Sequence, residues 1–497
     1  MLYTSTRDSS VRVTASKAIT DGISPDGGLY IPMQIPEISL KDITDLAGCG
    51  YKERARRIVS LYLSDFTDAE LKSCIDGAYS DGKFACEQVA PVVKLREGEY
   101  ILELFHGPTC AFKDMALQML PYLLTVSAKK NLKDKRIVIL VATSGDTGKA
   151  ALEGFKDVDG TQILVFYPSD GVSNIQKLQM ATQEGANVGV TAIKGNFDDA
   201  QNGVKAIFTD EQIKNRFEQN GLVFSSANSI NWGRLAPQIV YYISAYCELL
   251  NSGAITAGDK INITVPTGNF GNILAAYYAM RMGLPVNKLV CASNANRVLT
   301  DFIQTGVYNR NREFYLTCSP SMDILISSNL ERLLYLLGGC DDAAVRGLMG
   351  ELKATGSYTV SPRVLSELHG CFCAGCCDDT ATKQTIARTF EQCGYLADTH
   401  TAVGINVYEA YKASTGDTTP TVIAATASPF KFSAAVLEAI APQSTQQDEF
   451  AKLNELARVS GMSVPLPLAQ LSGKAVRFDK VCLKEDMAQA VFDMLGL

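Results

Sequence analysis

Between about residues 130 and 300 the chain alternates short apolar runs with amphipathic stretches. Arg136–Ala142 (RIVILVA) is a continuous apolar run of strand length, the pattern of a strand covered on both faces. Gln162–Tyr167, Val188–Ile193, Val223–Ser225, Ile261–Val265 and Leu289–Ala292 repeat it, each followed by helical periodicity, as in Asp198–Phe208 and Ile273–Arg281. Thr421–Ala425 followed by Phe432–Ile440 supplies one more such unit. Repeated strand–helix units predict an α/β fold, with parallel sheets covered by helices on both faces. Ligands of such sheets sit beyond the carboxyl ends of the strands, so the chemistry is expected in the loops that follow them. Outside this region, residues 1–97 are mixed, with helices expected over Lys52–Leu63 and Asp68–Tyr79. Residues 307–395 read as mostly helical, interrupted by an irregular, Cys-rich break at His369–Thr380.

Length and composition narrow the function. The 497 residues, 46% hydrophobic and 20% charged, suffice for about three structural units with a large core. Fifty-three acidic against 46 basic residues give a net charge of −7, which repels a polyanion and argues against nucleic-acid binding. The start, MLYTSTRDSSVRV, has no apolar signal region, and no apolar run approaches the roughly 20 residues needed to span a bilayer. The expectation is a cytoplasmic protein with no membrane partner, its 14 cysteines mostly free thiols. With only His106, His369 and His400 present, a His-rich metal site is not expected. Cys371-Phe-Cys-Ala-Gly-Cys-Cys377 beside His369 has chelating spacings but no second cluster to complete a tetrahedron, so a loop of reduced thiols and no metal is expected.

Three strand-to-helix loops can carry chemistry. Ala142-Thr-Ser-Gly-Asp-Thr-Gly148 puts hydroxyls and glycines at a helix N-terminus, which suits a carboxylate; the plain alternative is a turn capped by Asp146 or Thr147. Pro266-Thr-Gly-Asn-Phe-Gly-Asn272 lets the backbone approach a phosphate and lacks the Gly-Lys-Ser/Thr ending of a Walker loop. Ala425-Thr-Ala-Ser-Pro-Phe-Lys431 exposes Thr426 and Ser428 at a strand end and opens the next helix with Lys431. Upstream, Lys113 lies among Ala111, Phe112, Met115 and Ala116 at the expected start of a helix running through Leu124. Desolvation and a positive helix end both penalise its ammonium form, so a depressed pKa and Schiff-base chemistry are expected; the bland reading is a snorkelling surface lysine.

Taken together, Tyr3-Thr-Ser-Thr-Arg7, Pro25-Asp-Gly-Gly-Leu-Tyr30, His106-Gly-Pro-Thr109 with Ala111-Phe-Lys-Asp114, Ala142–Gly148, Gly268–Asn272, His400-Thr-Ala-Val-Gly404 and Ala425–Phe432 resemble threonine synthase of the longer, bacterial and fungal type. That family has the tryptophan-synthase-β-like fold of pyridoxal 5'-phosphate enzymes (fold type II). The resemblance implies two α/β domains with parallel or mixed sheets: a large cofactor-binding domain from residues 98–130 and 233–497, with a helical insertion at about 307–395, and a small mobile domain from 131–232. Residues 1–97 would be an N-terminal extension. Lys113 would hold the cofactor as a Schiff base and later move protons; Gly268, Asn269, Phe270, Gly271 and Asn272 would cradle its phosphate, and Thr426 would bond the pyridine nitrogen. Thr143, Ser144 and Thr147 would grip the substrate carboxylate, and Asn228 with Arg234 the substrate phosphate. Ser319-Pro-Ser-Met-Asp-Ile324 resembles a family segment near the substrate, or is a structural turn.

The implied reaction converts O-phospho-L-homoserine and water to L-threonine and phosphate, the last step of threonine biosynthesis, in a monomer or homodimer. The rivals are another lyase of the same fold, such as threonine dehydratase or a cysteine synthase, and a non-catalytic cofactor-binding paralogue. Two positions depart from the pattern of relatives. Asp146 stands where many proteins of this fold have Asn beside the cofactor's phenolate oxygen, so it is expected protonated, turned to backbone N–H groups, or capping its helix. Ser428 stands where the family often has His, so no proton relay can run through that position.

Overall fold

The computed structural model describes residues 1–497 except Asp134, Ser144, Asp170, Gly171 and Ser173 and the side chains of Phe197 and Asp198. The apolar runs form strands because their side chains are buried on both faces. Arg136–Ala142 and Thr421–Ala425 occupy the expected residues, and Ile261–Pro266 is buried along its whole length. Two sheets result. The larger has the spatial order Phe372–Cys376, Val286–Ser293, Ile261–Pro266, Thr421–Ala425, Glu99–Glu103, Val92–Arg96. Its first five strands are parallel, and the Val92–Arg96 edge is antiparallel. The smaller is parallel throughout, in the order Val481–Leu483, Val188–Lys194, Thr161–Pro168, Arg136–Ala142, Leu222–Ser225.

Helix Trp232–Asn251 joins the two regions and is buried on nearly every face, as an all-round apolar sequence requires. Asn231 caps it by accepting the Gly233 N–H at 2.9 Å. Trp232 is fully buried among Tyr3, Tyr62 and Tyr278, with ring centroids 5.3–5.4 Å away. The N-terminal helices Tyr51–Tyr62 and Asp68–Ala78 fall where the periodicity puts them, the second opened by a Thr67–Glu70 capping box.

Four features depart from the sequence expectations. The helix from Lys113 through Leu124 is two helices, Asp114–Leu117 and Leu120–Asn131; Pro121, with no N–H to donate, sits in the first turn of the second. The Cys-rich break contains the strand Phe372–Cys376, which forms an edge of the larger sheet on Leu289–Ser293. Phe372 drives this by burying its ring against Phe270 and Tyr277. Lys431 lies in a one-turn 3-10 helix, Pro429–Phe432, before the helix Ser433–Ile440. Last, Val481–Leu483 adds to the smaller sheet beside Val188–Lys194, although 131–232 alone was expected to form that unit. Met487 and Val491 of the following helix join the same small core as Val138 and Phe166. All 14 cysteines are unpaired. Among the described residues no group of three or more His, Cys, Asp or Glu side chains could hold a metal, and no helix is long and apolar enough to cross a membrane.

Candidate active site

The loops that leave the carboxyl ends of both sheets meet around Lys113. Glu99–Glu103 and Thr421–Ala425 are neighbours, so the segments that follow them run side by side. The Phe112 N–H donates to the Thr426 carbonyl at 2.8 Å, the Ser428 N–H to the Cys110 carbonyl at 3.0 Å, and Ala111 bridges Ala427. Cys110 has a left-handed φ of 59°, the bend that turns Lys113 into the site. Lys113 is mostly buried, its Nζ 5.4 Å from the Phe112 ring centre.

From the smaller sheet, Asp146 reaches the same place. It is buried at the first turn of helix Asp146–Phe155, whose N-cap is Gly145, so it does not cap its helix. Its carboxylate lies between two lysines, with Oδ1 3.1 Å from Lys431 Nζ and Oδ2 3.6 Å from Lys113 Nζ. Gln176 donates to Oδ1 at 3.0 Å and the Ser321 hydroxyl to Oδ2 at 3.2 Å. Burial alone would raise this carboxyl's pKa, but Lys431 and Lys113 overcome it and hold it well below the usual carboxylate range. The two lysines and Gln176 favour its ionised form, so of the three expected arrangements (protonated, turned to backbone N–H groups, or capping its helix) it takes none: its carboxylate faces side-chain donors. Burial is also the largest influence on Lys113 and lowers its pKa; Asp146 opposes, while Lys431 and Arg234 push the same way as burial.

The Gly-rich loop follows Ile261–Pro266 and opens helix Gly271–Met282. Phe270 holds a left-handed φ of 63°, with its ring buried against Phe372. A Cβ on Gly268 would lie 2.7 Å from the Ser321 carbonyl oxygen, so only glycine fits that approach. Ser327 Oγ donates to the Gly268 carbonyl at 2.7 Å, and Asn329 donates to the Asn269 carbonyl from both its backbone N–H and Nδ2, each at 3.1 Å. Asn272 Oδ1 accepts the hydroxyls of Tyr242, at 2.6 Å, and Tyr241; its Nδ2 is buried with no partner. A glycine-lined helix N-terminus with an orphaned amide donor fits a phosphate group. Thr426 is buried at the neighbouring strand end.

The remaining expected residues divide. Thr143 Oγ1 accepts the N–H groups of Gly145, at 3.0 Å, and Gly148, at 2.9 Å, so this hydroxyl shapes its own loop. Thr147 is half-buried in the first turn of the same helix, and Ser144 lies outside the described residues. Asn228 is exposed, its backbone N–H bonded to Ser226 Oγ at 3.1 Å. Arg234 is buried, donates to the Ala227 carbonyl at 2.7 Å, and leaves Nε without a partner. Among the described residues it has no carboxylate beside it, and burial pushes its pKa down to about 10. A buried guanidinium with an idle donor is a site prepared for an anion.

Sequence reading took Lys431 only as the opening of a helix and passed over Gln176, Asn329 and Arg332. Lys431 is fully buried and also donates to the Thr109 carbonyl at 2.8 Å. Its signal was a cation inside an apolar stretch, Pro429-Phe-Lys-Phe432.

Comparison with known proteins decides the family. A family model described as pyridoxal-phosphate dependent enzyme matches residues 86–427, flanked by models of the threonine synthase N terminus over 2–79 and C-terminal region over 401–472. Threonine synthase from Pseudomonas aeruginosa is 40% identical over 441 residues, covering 88% of this chain and 90% of its own. The chain belongs to the threonine synthase family of pyridoxal-phosphate dependent enzymes. The crystal structure of pyridoxal-phosphate-bound threonine synthase from Brucella melitensis superposes with a TM-score of 0.88 at 37% identity, covering 99% of both chains. The fold is accordingly the fold-type-II architecture that the resemblance implied. Human threonine synthase-like 1 is 40% identical over 435 residues, 86% of this chain, which spans only 58% of that longer relative.

Proposed function

We propose that this protein is a pyridoxal 5'-phosphate-dependent threonine synthase that converts O-phospho-L-homoserine and water to L-threonine and phosphate. The observation that carries this reading is the pairing, in one site, of a mostly buried lysine of lowered pKa, Lys113, with a buried arginine, Arg234, that has no carboxylate partner among the described residues. A lyase acting on an unphosphorylated amino acid has no use for the second. Lys113 would carry the cofactor, the loop from Gly268 to Asn272 would hold its phosphate, and Thr426 would bond its ring nitrogen. Bound there, the cofactor supplies an electron sink that acidifies the Cα–H of the amino acid joined to it.

Lys113, whose pKa burial lowers, would take and return protons at Cα and Cβ of the substrate. Arg234, with Asn228 at the edge of the same loop, orients the γ-phosphate and steadies its charge as the C–O bond breaks. The phosphate leaves from Cγ and water adds at Cβ, so the hydroxyl appears on a different carbon from the one vacated. Thr143, Ser144 and Thr147 would hold the carboxylate at the N-terminus of helix Asp146–Phe155. The smaller sheet, with residues 131–232 and the added strand Val481–Leu483, would close on a larger domain built from 98–130 and the rest of 233–497. We place the enzyme in the cytoplasm.

The test is turnover by the purified protein loaded with pyridoxal phosphate. Phosphohomoserine should yield phosphate and threonine in equal amounts, while serine and threonine should be poor substrates. A coloured holoenzyme that releases no phosphate would mark a non-catalytic paralogue. Phosphate release with a keto acid in place of threonine would mark a different lyase.

A further inference from the structure

Ser321 lies between Lys113, Asp146 and the Gly268–Asn272 loop. Its hydroxyl donates to Asp146 Oδ2 at 3.2 Å and accepts from Lys113 Nζ at 3.3 Å. Its carbonyl faces Gly268 of the phosphate loop so closely that a Cβ there would come within 2.7 Å. Its backbone N–H donates to His400 Nε2 at 3.1 Å. One residue thus touches the amine, the carboxylate opposite it and the loop that cradles the phosphate.

His400 is held to fit. It is buried, and its Nδ1 faces Asp398 Oδ1 at 2.9 Å. With a carboxylate at Nδ1 and an N–H donor at Nε2, the imidazole must carry its proton on Nδ1 and accept at Nε2. Asp398 is itself fixed, because it caps helix Thr399–Thr415 and accepts from the Thr401 hydroxyl. The other end of the 319–323 turn is pinned by Asp323 Oδ1, which accepts from Asn294 at 2.7 Å and Thr317 at 2.8 Å. A rigid turn carrying a hydroxyl to a reactive amine is more than packing requires.

We propose that Ser321 is a further catalytic residue, whose hydroxyl fixes the Lys113 amine during proton transfer, and that His400, oriented by Asp398, is the positioning residue that sets it. The hydroxyl has one proton, and Asp146 takes it. Only a lone pair is left to face Lys113, so Ser321 holds one N–H of the amine and leaves the nitrogen's own lone pair for the substrate. The inference rests on the reading of Lys113 as the cofactor-bearing base.

The experiment compares holoenzymes of Ser321→Ala, Ser321→Thr, His400→Leu, His400→Gln and the double variant Ser321→Ala/His400→Leu. Borohydride trapping of pyridoxal phosphate on Lys113 is scored beside steady-state release of phosphate from phosphohomoserine. Ser321→Ala should trap cofactor normally and lose up to about tenfold in kcat, the worth of a hydrogen bond to an uncharged amine, with KM little changed. Ser321→Thr should restore most of the rate. His400→Leu should fall to the same level, His400→Gln should recover because its side-chain carbonyl can accept the Ser321 N–H, and the double variant should be no worse than either single one. Parent-level kcat in Ser321→Ala overturns the proposal. So does a His400→Leu loss that is undiminished when Ser321 is already alanine. If the parent protein itself traps no cofactor on Lys113, it is the reading of Lys113 that fails, and the two failures are distinct.

Discussion

Replacing Lys431 by methionine tests the electrostatics on which the Lys113 amine depends. Lys431 Nζ is 3.1 Å from Asp146 and Lys113 Nζ is 3.6 Å from it, on the other carboxylate oxygen. At an effective dielectric of about 20, each lysine attracts Asp146 by roughly 5 kcal/mol. Asp146 favours the ammonium form of Lys113, and Lys431 opposes it by direct repulsion. Removing Lys431 ends that repulsion and leaves the attraction of Asp146 unopposed, so the ammonium form gains. If the repulsion ended is about a third of one such attraction, the neutral amine becomes roughly tenfold scarcer, since 1.36 kcal/mol is a factor of ten. The assay is the rate at which apoprotein captures pyridoxal phosphate, followed by visible absorbance from neutral to alkaline pH. Lys431→Met should move the midpoint of that profile to higher pH and slow capture at neutral pH by about tenfold. Asp146→Asn, which removes the anion that favours the ammonium, should move it the other way. The reasoning is refuted if the two variants shift the midpoint in the same direction, or if Lys431→Met lowers it.

Arg234→Ala should raise KM for phosphohomoserine by on the order of tenfold to a hundredfold while leaving cofactor capture intact, because the buried guanidinium is assigned to the substrate phosphate; unchanged KM would remove Arg234 from that site. Gly268→Ala, which would press a Cβ to within 2.7 Å of the Ser321 carbonyl, should weaken pyridoxal phosphate binding in equilibrium titration without abolishing folding. Thr426→Asp would put a carboxylate where a neutral hydroxyl stands, hold the ring nitrogen protonated and make the ring a stronger electron sink, so side products should appear beside threonine in the product analysis. Burial pushes the Asp114 carboxyl up to about 6 against two hydrogen bonds from Thr109 that lower it. A raised carboxyl destabilises the fold only when ionised, so the penalty is absent below the unfolded value of about 4 and complete above the folded value. Unfolding midpoints should therefore show the deficit of Asp114→Asn shrinking as pH rises through that window.

What the sequence made legible was local. Buried parallel strands announce themselves as unbroken apolar runs, and Arg136–Ala142 and Thr421–Ala425 fall on the residues read from the pattern. Phe372–Cys376 does not, because a five-residue edge strand of small and thiol side chains has no distinctive period; its membership depends on Phe372 meeting Phe270 and Tyr277. Val481–Leu483 is shorter still, and nothing in three residues says which sheet it joins. The same limit applies in the site. Lys113 was readable as a lysine in an apolar setting, but Lys431 acquires its meaning only from Asp146, which reaches it from the other sheet. Asp146 was expected protonated, turned to backbone N–H groups or capping its helix because only one neighbour, a phenolate, was considered; the structure sets it between two lysines instead.

The N-terminal segments Tyr3–Arg7 and Pro25–Tyr30 lie far from Lys113 in the chain, yet the structure gives them a route to the site. Glu331 accepts the Thr6 hydroxyl at 2.6 Å and a two-pronged contact from Arg7 at 2.7 and 2.9 Å. Next to it, the buried Arg332 donates to the Tyr30 carbonyl at 2.9 Å, to Asn329 Oδ1 at 2.6 Å and to the Ile230 carbonyl at 2.5 Å. Asn329 in turn holds the Asn269 carbonyl, and Ile230 belongs to the loop that carries Asn228 and leads into Arg234. A single guanidinium, whose five donors lie in a rigid plane, therefore fixes the Gly268–Asn272 loop, proposed to hold the cofactor phosphate, relative to the segment proposed for the substrate phosphate. Lysine could not do this, because one ammonium cannot reach carbonyls on three segments in fixed directions. Tyr30 supplies one of those carbonyls, and Thr6 and Arg7 clamp the adjacent glutamate, so the paired segments Tyr3–Ser5 and Tyr30–Pro32 buttress the two loops proposed to bind anions and their spacing.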